Sequence, residues 1–348
     1  MPKAKPSAPL LTYEADVPTG LESLAAAEIT AIPQSYNVQT LTGAVRFQRT
    51  EARLNALQQL KLVTALYVTQ VYPVPRPKAL LGHQHFQGML KQIEVATQHE
   101  PNSIFRTFHL AAAGDDSSVM QRLKSEIAAN TNLTPNEEGG DLWIRIRRDA
   151  QKIGWEVLVR TSRRPHVTRA WRVRDWPGAI NAVVAQAVIR LTRPTPEDVF
   201  LNIGSGSGTI LIERGLSGPA HMLIGCDNNP DVMSIAQTNG RAVPDLALNW
   251  LHADGRRLPM PNQSVDALAA DLPFGVLIGS HDENEQLYPA LLLEAARVAK
   301  PGARFAIVTQ AIRVMDSLLP SQTAWQVEDV LKVTQGGLHP RIYTLVRR

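Results

Sequence analysis

The sequence predicts an α/β fold for its second half, a mostly parallel sheet with helices on both faces, preceded by an α+β half. Strand-length apolar runs alternate with helical patterns from about residue 177 onwards. A glycine-rich turn at 204–209 separates a predicted strand from a predicted helix, which is typical of phosphate- and nucleotide-type sites. In the first half, a β-α-β-β pattern indicates a small ferredoxin-like unit.

The elements of the second half follow one another in a regular order. Asn229-Pro230 supplies a cap residue and a first-turn proline for one helix, and Pro301-Gly302 ends another. The predicted strands are 199–203, 221–226, 246–252, 265–270 and 304–309, with helices at 229–239 and 284–299 and a closing strand pair at 326–335 and 341–347.

Three carboxylates stand where consecutive predicted strands end: Asp227, Asp254 and Asp271. Ligands of open α/β sheets bind beyond the carboxyl ends of the strands. Asp227 follows Gly208 by 19 residues, close to the spacing at which an acid accepts ribose hydroxyls in a dinucleotide fold. Aspartates also end strands and cap helices without any ligand, but three of them behind a glycine turn favour a nucleoside-type ligand.

The stretch Asp271-Leu272-Pro273-Phe274-Gly275 follows the apolar strand 265–270 and is the most informative motif. Pro273 fixes its own φ and restricts Leu272, so the backbone carbonyls are oriented in advance. Asp271 and the Leu272 carbonyl can accept the two hydrogens of an exocyclic amine while Phe274 stacks on the ring. A polar turn that only closes a core strand would have the same composition.

These motifs resemble a known family. Gly206-Ser207-Gly208-Thr209 followed by Ile-Leu-Ile-Glu, together with the 271–275 stretch, looks like the THUMP-containing RNA guanine-N2 methyltransferases that use S-adenosylmethionine. The Asp-Leu-Pro-Phe-Gly form is closest to the tRNA enzymes that act in the acceptor stem. The resemblance implies a Rossmann-like class I methyltransferase sheet, S-adenosylmethionine as cofactor and tRNA as partner.

The resemblance also implies roles for individual residues. The target base would be received by the catalytic residues Asp271, Leu272, Pro273 and Phe274. The glycine turn would hold the methionine part of the cofactor, Asp227 the ribose and Asp254 the adenine amine. The full cofactor-binding set is Asn202, Gly204, Ser205, Gly206, Ser207, Gly208, Thr209, Asp227, Asn228, Asp254 and Gly255.

One position departs from the family pattern, which usually has Asp-Pro ahead of the glycine turn. This chain has Asn202-Ile203 there. An amide oxygen can still accept a hydrogen bond from the methionine ammonium, but without charge assistance the bond is roughly half as strong. We therefore expect weaker cofactor binding, and loss of catalysis stays open.

The first half begins with Pro18-Thr19-Gly20-Leu21-Glu22 and ends in a predicted hairpin at 142–161, and both resemble the THUMP half of the family, which holds RNA. Before the hairpin the pattern predicts strands at 10–16, 45–48, 62–74 and 103–111 and helices at 24–32, 51–60, 80–97 and 117–129. The expected division is a ferredoxin-like region at 1–61, a THUMP domain at 62–165, a basic linker at 166–176 and a methyltransferase domain at 177–348.

Positive charge is concentrated between residues 145 and 174. This segment contains ten Lys or Arg residues and two acidic residues, so its net charge is +8, whereas the whole chain carries +4. Basic residues follow phosphates, and the interleaved tryptophans 143, 155, 171 and 176 can stack on unpaired bases. A solvated strand face with core tryptophans is the alternative. The predicted RNA-binding residues are Arg145, Arg147, Arg148, Arg160, Arg163, Arg164, Arg169, Arg172 and Arg174.

Length and composition set further limits. The chain has 348 residues, 44% of them hydrophobic, which suits two or three domains. No apolar run approaches the roughly 18 residues of a membrane span, and the start lacks a secretory segment. A single cysteine, Cys226, excludes internal disulfides and fits a reducing compartment. We expect a cytoplasmic monomer with no metal and no membrane partner.

The sequence therefore predicts an S-adenosylmethionine-dependent enzyme that methylates the exocyclic N2 amine of a guanosine in tRNA. Ribosomal RNA or an adenine N6 amine as substrate stays open, as does an RNA-binding protein that has lost catalysis, which the residue Asn202 motivates. A nicotinamide-dependent dehydrogenase is disfavoured, because neither the corner after residue 270 nor the arginine-rich run serves hydride chemistry.

Overall fold

The computed structural model describes residues 10–50, 54–100, 102–273 and 281–348, and the chain divides into two compact units. The first unit comprises Met1–Val17 and Glu22–Val167, and the second comprises Pro18–Leu21 and Thr168–Arg348. The four-part division expected from the sequence stays a prediction.

The described part of the first unit contains one sheet with the strand order β2-β3-β1-β4-β8-β7-β5-β6. Most neighbours are antiparallel, while β5 runs parallel to β6 and β7. The elements are β1 (Leu10–Asp16), α1 (Glu22–Ala31), β2 (Ser35–Leu41), β3 (Ala44–Thr50), β4 (Ala65–Tyr72), α2 (His83–Thr97), β5 (Thr107–Ala112), α3 (Ser118–Asn130), β6 (Thr134–Pro135), β7 (Leu142–Arg148) and β8 (Trp155–Arg160).

Side chains alternate across this sheet, as the pleat requires. Tyr13 and Phe47 are fully buried on one face and stack with ring centroids 5.3 Å apart. The opposite face carries polar side chains, among them Glu14 and Glu156, each only 1% exposed. Buried carboxylates need partners, and both accept hydrogen bonds from Arg147.

The second unit contains a sheet with the strand order β11-β10-β9-β12-β13-β15-β14. Its elements are α4 (Ala182–Leu191), β9 (Val199–Ile203), α5 (Thr209–Leu216), β10 (Met222–Asp227), α6 (Pro230–Arg241), β11 (Leu248–His252), β12 (Val265–Asp271), α7 (His281–Val298), β13 (Ala299–Thr309), α8 (Ile312–Leu318), β14 (Trp325–Lys332) and β15 (Arg341–Arg347). The strands β9 to β13 pair in parallel, and β15 pairs antiparallel with both β13 and β14. The α/β prediction and its closing strand pair are confirmed.

Helices cover both faces of this sheet. On one face, Leu201 and Phe305 pack in a buried cluster with Tyr288 of α7 and Met315 of α8. On the other face, Phe200 lies under α5, whose Arg214 guanidinium stands 5.8 Å from the ring centroid. The central strand β9 is therefore covered on both sides, and its carboxyl end is what remains for a ligand.

Several elements differ from the sequence expectation. The predicted α-helix at 51–60 is wrong for residues 54–59, which form a 3-10 helix, and 51–53 lie outside the described residues. Four elements were not predicted from the sequence: β2, β6, α4 and α8. The strand β2 exposes most of its residues and alternates weakly, so it carries little hydrophobic signal. Helix α4 is buried over residues 182–189 and contains only Gln186 and Arg190 as polar side chains, and a short apolar run of this kind cannot be told from a buried strand by its periodicity.

Candidate active site at the carboxyl edge of the parallel sheet

The glycine turn lies between two of the predicted acids. Ile203, the last residue of β9, pairs with Cys226 of β10 on one side and Ala270 of β12 on the other. The next positions along these strands are Gly204, Asp227 and Asp271, so they form one row at the edge of the sheet. At about 4.8 Å per strand, the two acids are roughly 10 Å apart. A Cβ placed on Gly204 would lie 3.7 Å from the carbonyl oxygen of Asp271.

The turn itself is fixed by backbone hydrogen bonds. The N–H of Ser205 donates to the carbonyl of Cys226 over 2.8 Å, and the N–H of Gly208 donates to the carbonyl of Ser205 over 2.9 Å. Gly204, Gly206 and Gly208 have φ values of 63°, 54° and 87°, a conformation that is strained for residues with a Cβ. The hydroxyl-bearing members Ser205, Ser207 and Thr209 are buried.

A tryptophan packs directly behind the turn. A Cβ on Gly208 would lie 2.7 Å from the ring of Trp250, and one on Gly225 would lie 2.9 Å from the same ring. Gly240 of α6 would approach the ring to 3.2 Å. Three glycines therefore make room for one indole, which supports the turn where α5 begins.

Asp227 and Asp254 are both engaged within the fold. Asp227 accepts the N–H of Gly206 over 2.9 Å through Oδ2 and the N–H of Asn229 over 3.0 Å through Oδ1. Each oxygen keeps a second acceptor position, so a ribose hydroxyl can still bind. The carboxylate of Asp254 forms an ion pair with Arg256 at 2.7 Å, and this hydrogen-bonded guanidinium holds the pKa of Asp254 below its usual range. An adenine amine would have to share that acceptor with Arg256.

Two further predicted cofactor residues lie beside these acids. Asn228 is exposed, and its carbonyl oxygen lies 3.0 Å from Nε2 of His252. Gly255 is half-buried, and a Cβ there would lie 2.7 Å from the side chain of Ile203. Both are located at the same edge of the sheet, and their contact with a cofactor stays a prediction.

Asp271 combines partial burial with an unsatisfied oxygen. Its Oδ1 atom is buried and accepts no hydrogen bond within the described part of the chain. Burial raises the pKa of Asp271 to about 7, because the charged form loses solvation. A carboxylate with this property, next to a glycine turn, is typical of a functional position rather than of a surface turn.

The corner after Asp271 is held by α7 and β13. The N–H of Leu272 donates to the carbonyl of Val308 over 3.0 Å. The Pro273 carbonyl accepts the Asn284 amide over 3.0 Å and the Tyr288 hydroxyl over 2.8 Å. Phe274 and Gly275 lie outside the described residues, so the predicted stacking of Phe274 stays a prediction.

Asn202 is fully buried one residue before the end of β9. Its side-chain amide donates to the carbonyl of Ala269 over 3.2 Å, while its Oδ1 atom is buried without a hydrogen-bond partner. The acceptor that the methionine ammonium would require is therefore present and unused among the described residues. Whether that ammonium reaches it stays a prediction.

Unpaired polar atoms collect at this edge. Besides Asn202 and Asp271, the described residues include Oδ1 of Asn284 and Nε2 of Gln310, each buried without a hydrogen-bond partner. Asn284 contacts the corner, and Gln310 follows the end of β13 beside Asp271. Buried polar atoms usually have partners, so several unsatisfied atoms along one edge indicate a place where a polar ligand completes the structure.

Within the ranges that the structure describes, no three His, Cys, Asp or Glu side chains come together as a metal site. None of the described helices is both long and apolar enough to cross a bilayer.

The second unit matches a known family of protein domains, and the chain matches a solved structure. Residues 169–341 match the family model described as RMKL-like, methyltransferase domain. The second unit contains a methyltransferase domain of the RMKL-like family. Over the chain as a whole, the crystal structure of TrmN from Thermus thermophilus superposes with a TM-score of 0.76 at 22% identity, covering 97% of this chain and all of that one. The class I methyltransferase fold predicted for the second half is thereby confirmed.

Curated relatives match over part of the chain. The mouse protein tRNA (guanine(6)-N(2))-methyltransferase THUMP3 is 32% identical over 185 residues, which are 49% of this chain and 37% of the mouse protein. A tRNA (guanine(6)-N2)-methyltransferase from Thermus thermophilus is 29% identical over 203 residues, which are 58% of this chain and 60% of the relative. The chain therefore spans less than two thirds of the length of either relative.

The segment that precedes α4 is packed into the methyltransferase domain. Arg169 forms an ion pair with the buried Glu213 of α5 at 2.8 Å, and the indole N–H of Trp171 donates to the same carboxylate over 3.1 Å. Asn239 of α6 accepts the N–H of Arg174 over 2.9 Å and donates to the carbonyl of Ser207 over 3.1 Å. Trp171 is 5% exposed, so its predicted stacking on an RNA base is wrong.

The arginines of the first unit are also largely paired. Arg145 donates to Asp16 and Arg163 to Asp141, and Arg147 bridges the two buried glutamates. Arg160 is 5% exposed and donates to three main-chain carbonyls within 3.2 Å. These contacts compensate much of the positive charge seen in the sequence. RNA contact stays a prediction, and the exposed residues of the predicted set are Arg148, Arg163 and Arg164 in the first unit and Arg174 in the second.

The residues of α7 and β13 that support the corner were not predicted from the sequence. Asn284 and Tyr288 are four residues apart in α7, so they lie on one helix face. A polar pair at that spacing in an otherwise apolar helix face was the signal available. Thr309 and Gln310 carried none, because only the pairing of β12 with β13 brings them to the site.

Proposed function

We propose that this chain is an S-adenosylmethionine-dependent methyltransferase acting on the exocyclic N2 amine of a guanosine in tRNA, in the acceptor stem. The observation that carries the proposal is the corner beside the glycine turn. A partly exposed carboxylate, with a buried oxygen that has no hydrogen-bond partner among the described residues, stands next to a backbone corner held by two side chains of α7. The names of the mouse and Thermus relatives support the same reaction.

The residues at the edge of the sheet fit the cofactor. Three glycines with positive φ let a ligand approach the backbone, and no atom of the described residues lies within 4 Å of where a Cβ on Gly206 would stand. Asp227 offers acceptors for ribose hydroxyls, and Oδ1 of Asn202 offers one for an ammonium. When bound, S-adenosylmethionine supplies a methyl group already activated by its sulfonium, so the protein has mainly to align the incoming amine.

Asp271 and Leu272 would prepare that amine. The lone pair of a guanine N2 amine is conjugated into the ring, which makes it a poor nucleophile. Acceptors at the Asp271 carboxylate and the Leu272 carbonyl can draw its two hydrogens out of the ring plane and stabilise the positive charge that develops on nitrogen. Since α7 engages the Pro273 carbonyl, that carbonyl does not compete for the same hydrogens.

Guanine suits this corner better than adenine. Guanine presents its ring N–H and its amine as adjacent donors, which match one carboxylate in a two-pronged contact. Adenine presents a donor beside an acceptor and matches less well. A guanosine in a duplex stem must also leave the stack, at a cost of a few kcal/mol. Cytoplasmic location and a monomeric state are part of the same proposal.

The decisive experiment compares tRNA nucleosides by mass spectrometry from cells with and without the gene. The expected result is one N2-methylguanosine that disappears on deletion and returns when purified protein and S-adenosylmethionine are added to the unmodified tRNA. A methylated adenosine, or a change in ribosomal RNA alone, would assign the other substrates.

A second candidate function is RNA binding without catalysis, and Asn202 favours it. The expected acid is replaced there by an amide. Calorimetric titration with S-adenosylmethionine separates the two: measurable binding supports the enzyme, and no binding at millimolar cofactor supports the inactive protein.

A further inference from the structure

Arg172 lies beside the glycine turn, although the charge pattern groups it with the RNA-binding arginines. Its Nη2 atom donates to the Thr209 hydroxyl and to the Ile180 carbonyl, each over 2.9 Å. Thr209 is the first residue of α5 and directly follows the turn. The guanidinium is thus held beside the last residue of the glycine turn, where the methionine part of the proposed cofactor would lie.

The charge of Arg172 is not neutralised by an ion pair with any described residue. Its Nε atom is buried and has no hydrogen-bond partner in the part of the chain that the structure describes, and both acceptors of its Nη2 atom are neutral. Two carboxylates act on its charge without a hydrogen bond to it, Asp175 and Glu213, and Glu213 is already engaged by Arg169 and Trp171. Burial lowers the pKa of Arg172. A partly buried cation without an anion costs free energy, which an incoming anion would offset.

The helix α5 adds a second source of positive potential at the same place. Its first residues follow Gly208, which provides no side-chain cap. The first helical hydrogen bond runs from Ile212 to Gly208, so the preceding N–H groups have no acceptor within the helix. Within the turn, the N–H groups of Gly206 and Gly208 are already bonded to Asp227 and Ser205. The donors that remain are those of the helix start, next to Arg172.

The burial of the surroundings favours a small anion. Thr209 and Ser207 are 1% and 3% exposed, so the hydroxyl that Arg172 contacts is not on an open surface. A phosphate of an RNA strand is part of a bulky polymer that reaches recessed groups poorly, whereas a small molecule can place most of its surface inside a cleft. Arg174, two residues further on, is exposed and is the better phosphate contact.

We propose that Arg172 binds the α-carboxylate of the methionine part of S-adenosylmethionine, together with the N-terminus of α5. This inference rests on the proposed function, because it assigns one end of the same cofactor. Arg172 is then a cofactor-binding residue and not an RNA contact.

The test compares two probes that differ only in the carboxylate: S-adenosylmethionine and decarboxylated S-adenosylmethionine. Calorimetry is run on the parent, on Arg172→Met and Arg172→Lys, and on Arg174→Met as the matched control. A charge-assisted hydrogen bond predicts that the parent binds S-adenosylmethionine about tenfold or more tightly than the decarboxylated form. Arg172→Met should erase this ratio by weakening only the carboxylate-bearing probe. Arg172→Lys should restore part of it, and Arg174→Met should keep the ratio of the parent.

Two results would overturn the inference while leaving the proposed function intact. One is a parent that binds both probes equally. The other is an Arg172→Met protein that loses affinity for both probes to the same extent, which would mean that Arg172 only supports the fold of the turn. A parent that binds neither probe would instead refute the proposed function, and the inference with it. Circular dichroism of each variant verifies that the fold is retained.

Discussion

The hydroxyl oxygen of Tyr288 lies 2.8 Å from the carbonyl oxygen of Pro273. The same hydroxyl lies 2.7 Å from Thr309 Oγ1, which in turn accepts the N–H of Ala311 over 2.9 Å. One consistent direction of donation follows, from Ala311 to Thr309 to Tyr288 to Pro273. The corner that carries Asp271 is therefore tied to the end of β13 through one tyrosine of α7.

Replacing Tyr288 by Phe should slow methyl transfer without changing cofactor affinity. The variant loses one donor to Pro273, worth about 1 kcal/mol, while Asn284 keeps the other. We expect kcat to fall roughly tenfold, because a tenfold change corresponds to about 1.4 kcal/mol of transition-state alignment. Tyr343→Phe is the matched control, since it removes a 2.8 Å hydrogen bond to Asp316 elsewhere in the same sheet. Equal loss in both variants would argue against a positioning role.

Asp271→Ala should abolish methyl transfer while binding of S-adenosylmethionine and tRNA stays nearly unchanged. Asp271→Asn keeps one acceptor oxygen and should retain a small residual rate. In the parent, kcat/KM should rise about tenfold per pH unit below 7 and level off above it, because burial raises the pKa of Asp271 to about 7 and only the ionised carboxylate stabilises the positive charge that develops on nitrogen. Transfer of labelled methyl groups at several pH values measures this. Full activity of the Ala variant would remove Asp271 from the mechanism.

Asp271 should also influence stability in a defined pH window. Its folded pKa of about 7 lies above the ordinary value of 3.8, so the folded state binds more protons between these values. Parent stability therefore decreases as the pH rises through that window, relative to Asp271→Asn, which does not titrate. Relative to the parent, the unfolding free energy of Asp271→Asn should increase between pH 4 and pH 7. The upper limit is about 4 kcal/mol, and solvent screening of the partly exposed carboxylate keeps the increase below it. Urea unfolding at pH 4, 5.5, 7 and 8 measures the difference, and a flat profile would contradict the raised pKa.

The row of acids could be predicted from the sequence because it needs only local information. Each of Asp227 and Asp271 ends a recognisable strand, and parallel strands bring their carboxyl ends to one edge. The position of Gly204 between them follows from the strand order β10-β9-β12, which the structure shows and the sequence did not predict. These parts of the site could be stated without any knowledge of side-chain contacts.

The pairing of the arginines could not be predicted in that way. Arg147 contacts Glu14, which lies 133 residues earlier, across the first sheet. A local count of charges treats Arg147 as free, whereas the register of β1, β4, β8 and β7 brings the acid beneath it. The same limit applies to Tyr288, since its role depends on which strand end the helix covers.

Gly208→Ala should destabilise the methyltransferase domain more than Gly206→Ala. Both glycines have positive φ, 87° and 54°, which costs a residue with a Cβ about 1–2 kcal/mol. Only Gly208 also faces Trp250, whose ring would lie 2.7 Å from the new Cβ. Overpacking adds about 1–3 kcal/mol. Urea unfolding should place the two variants in that order, and equal losses would show that Trp250 moves aside without cost.

Asn202→Asp should lower the stability of the protein and raise its affinity for the cofactor. The amide now donates to the Ala269 carbonyl, a bond that a carboxylate cannot make, and the position is fully buried. We expect a loss of about 1–3 kcal/mol in unfolding free energy without cofactor. A carboxylate would add charge assistance towards the methionine ammonium, so the Kd for S-adenosylmethionine should fall several-fold. Calorimetry and urea unfolding measure the two effects, with Asn202→Ala as reference. A lower stability with an unchanged Kd would mean that residue 202 serves the sheet and not the cofactor.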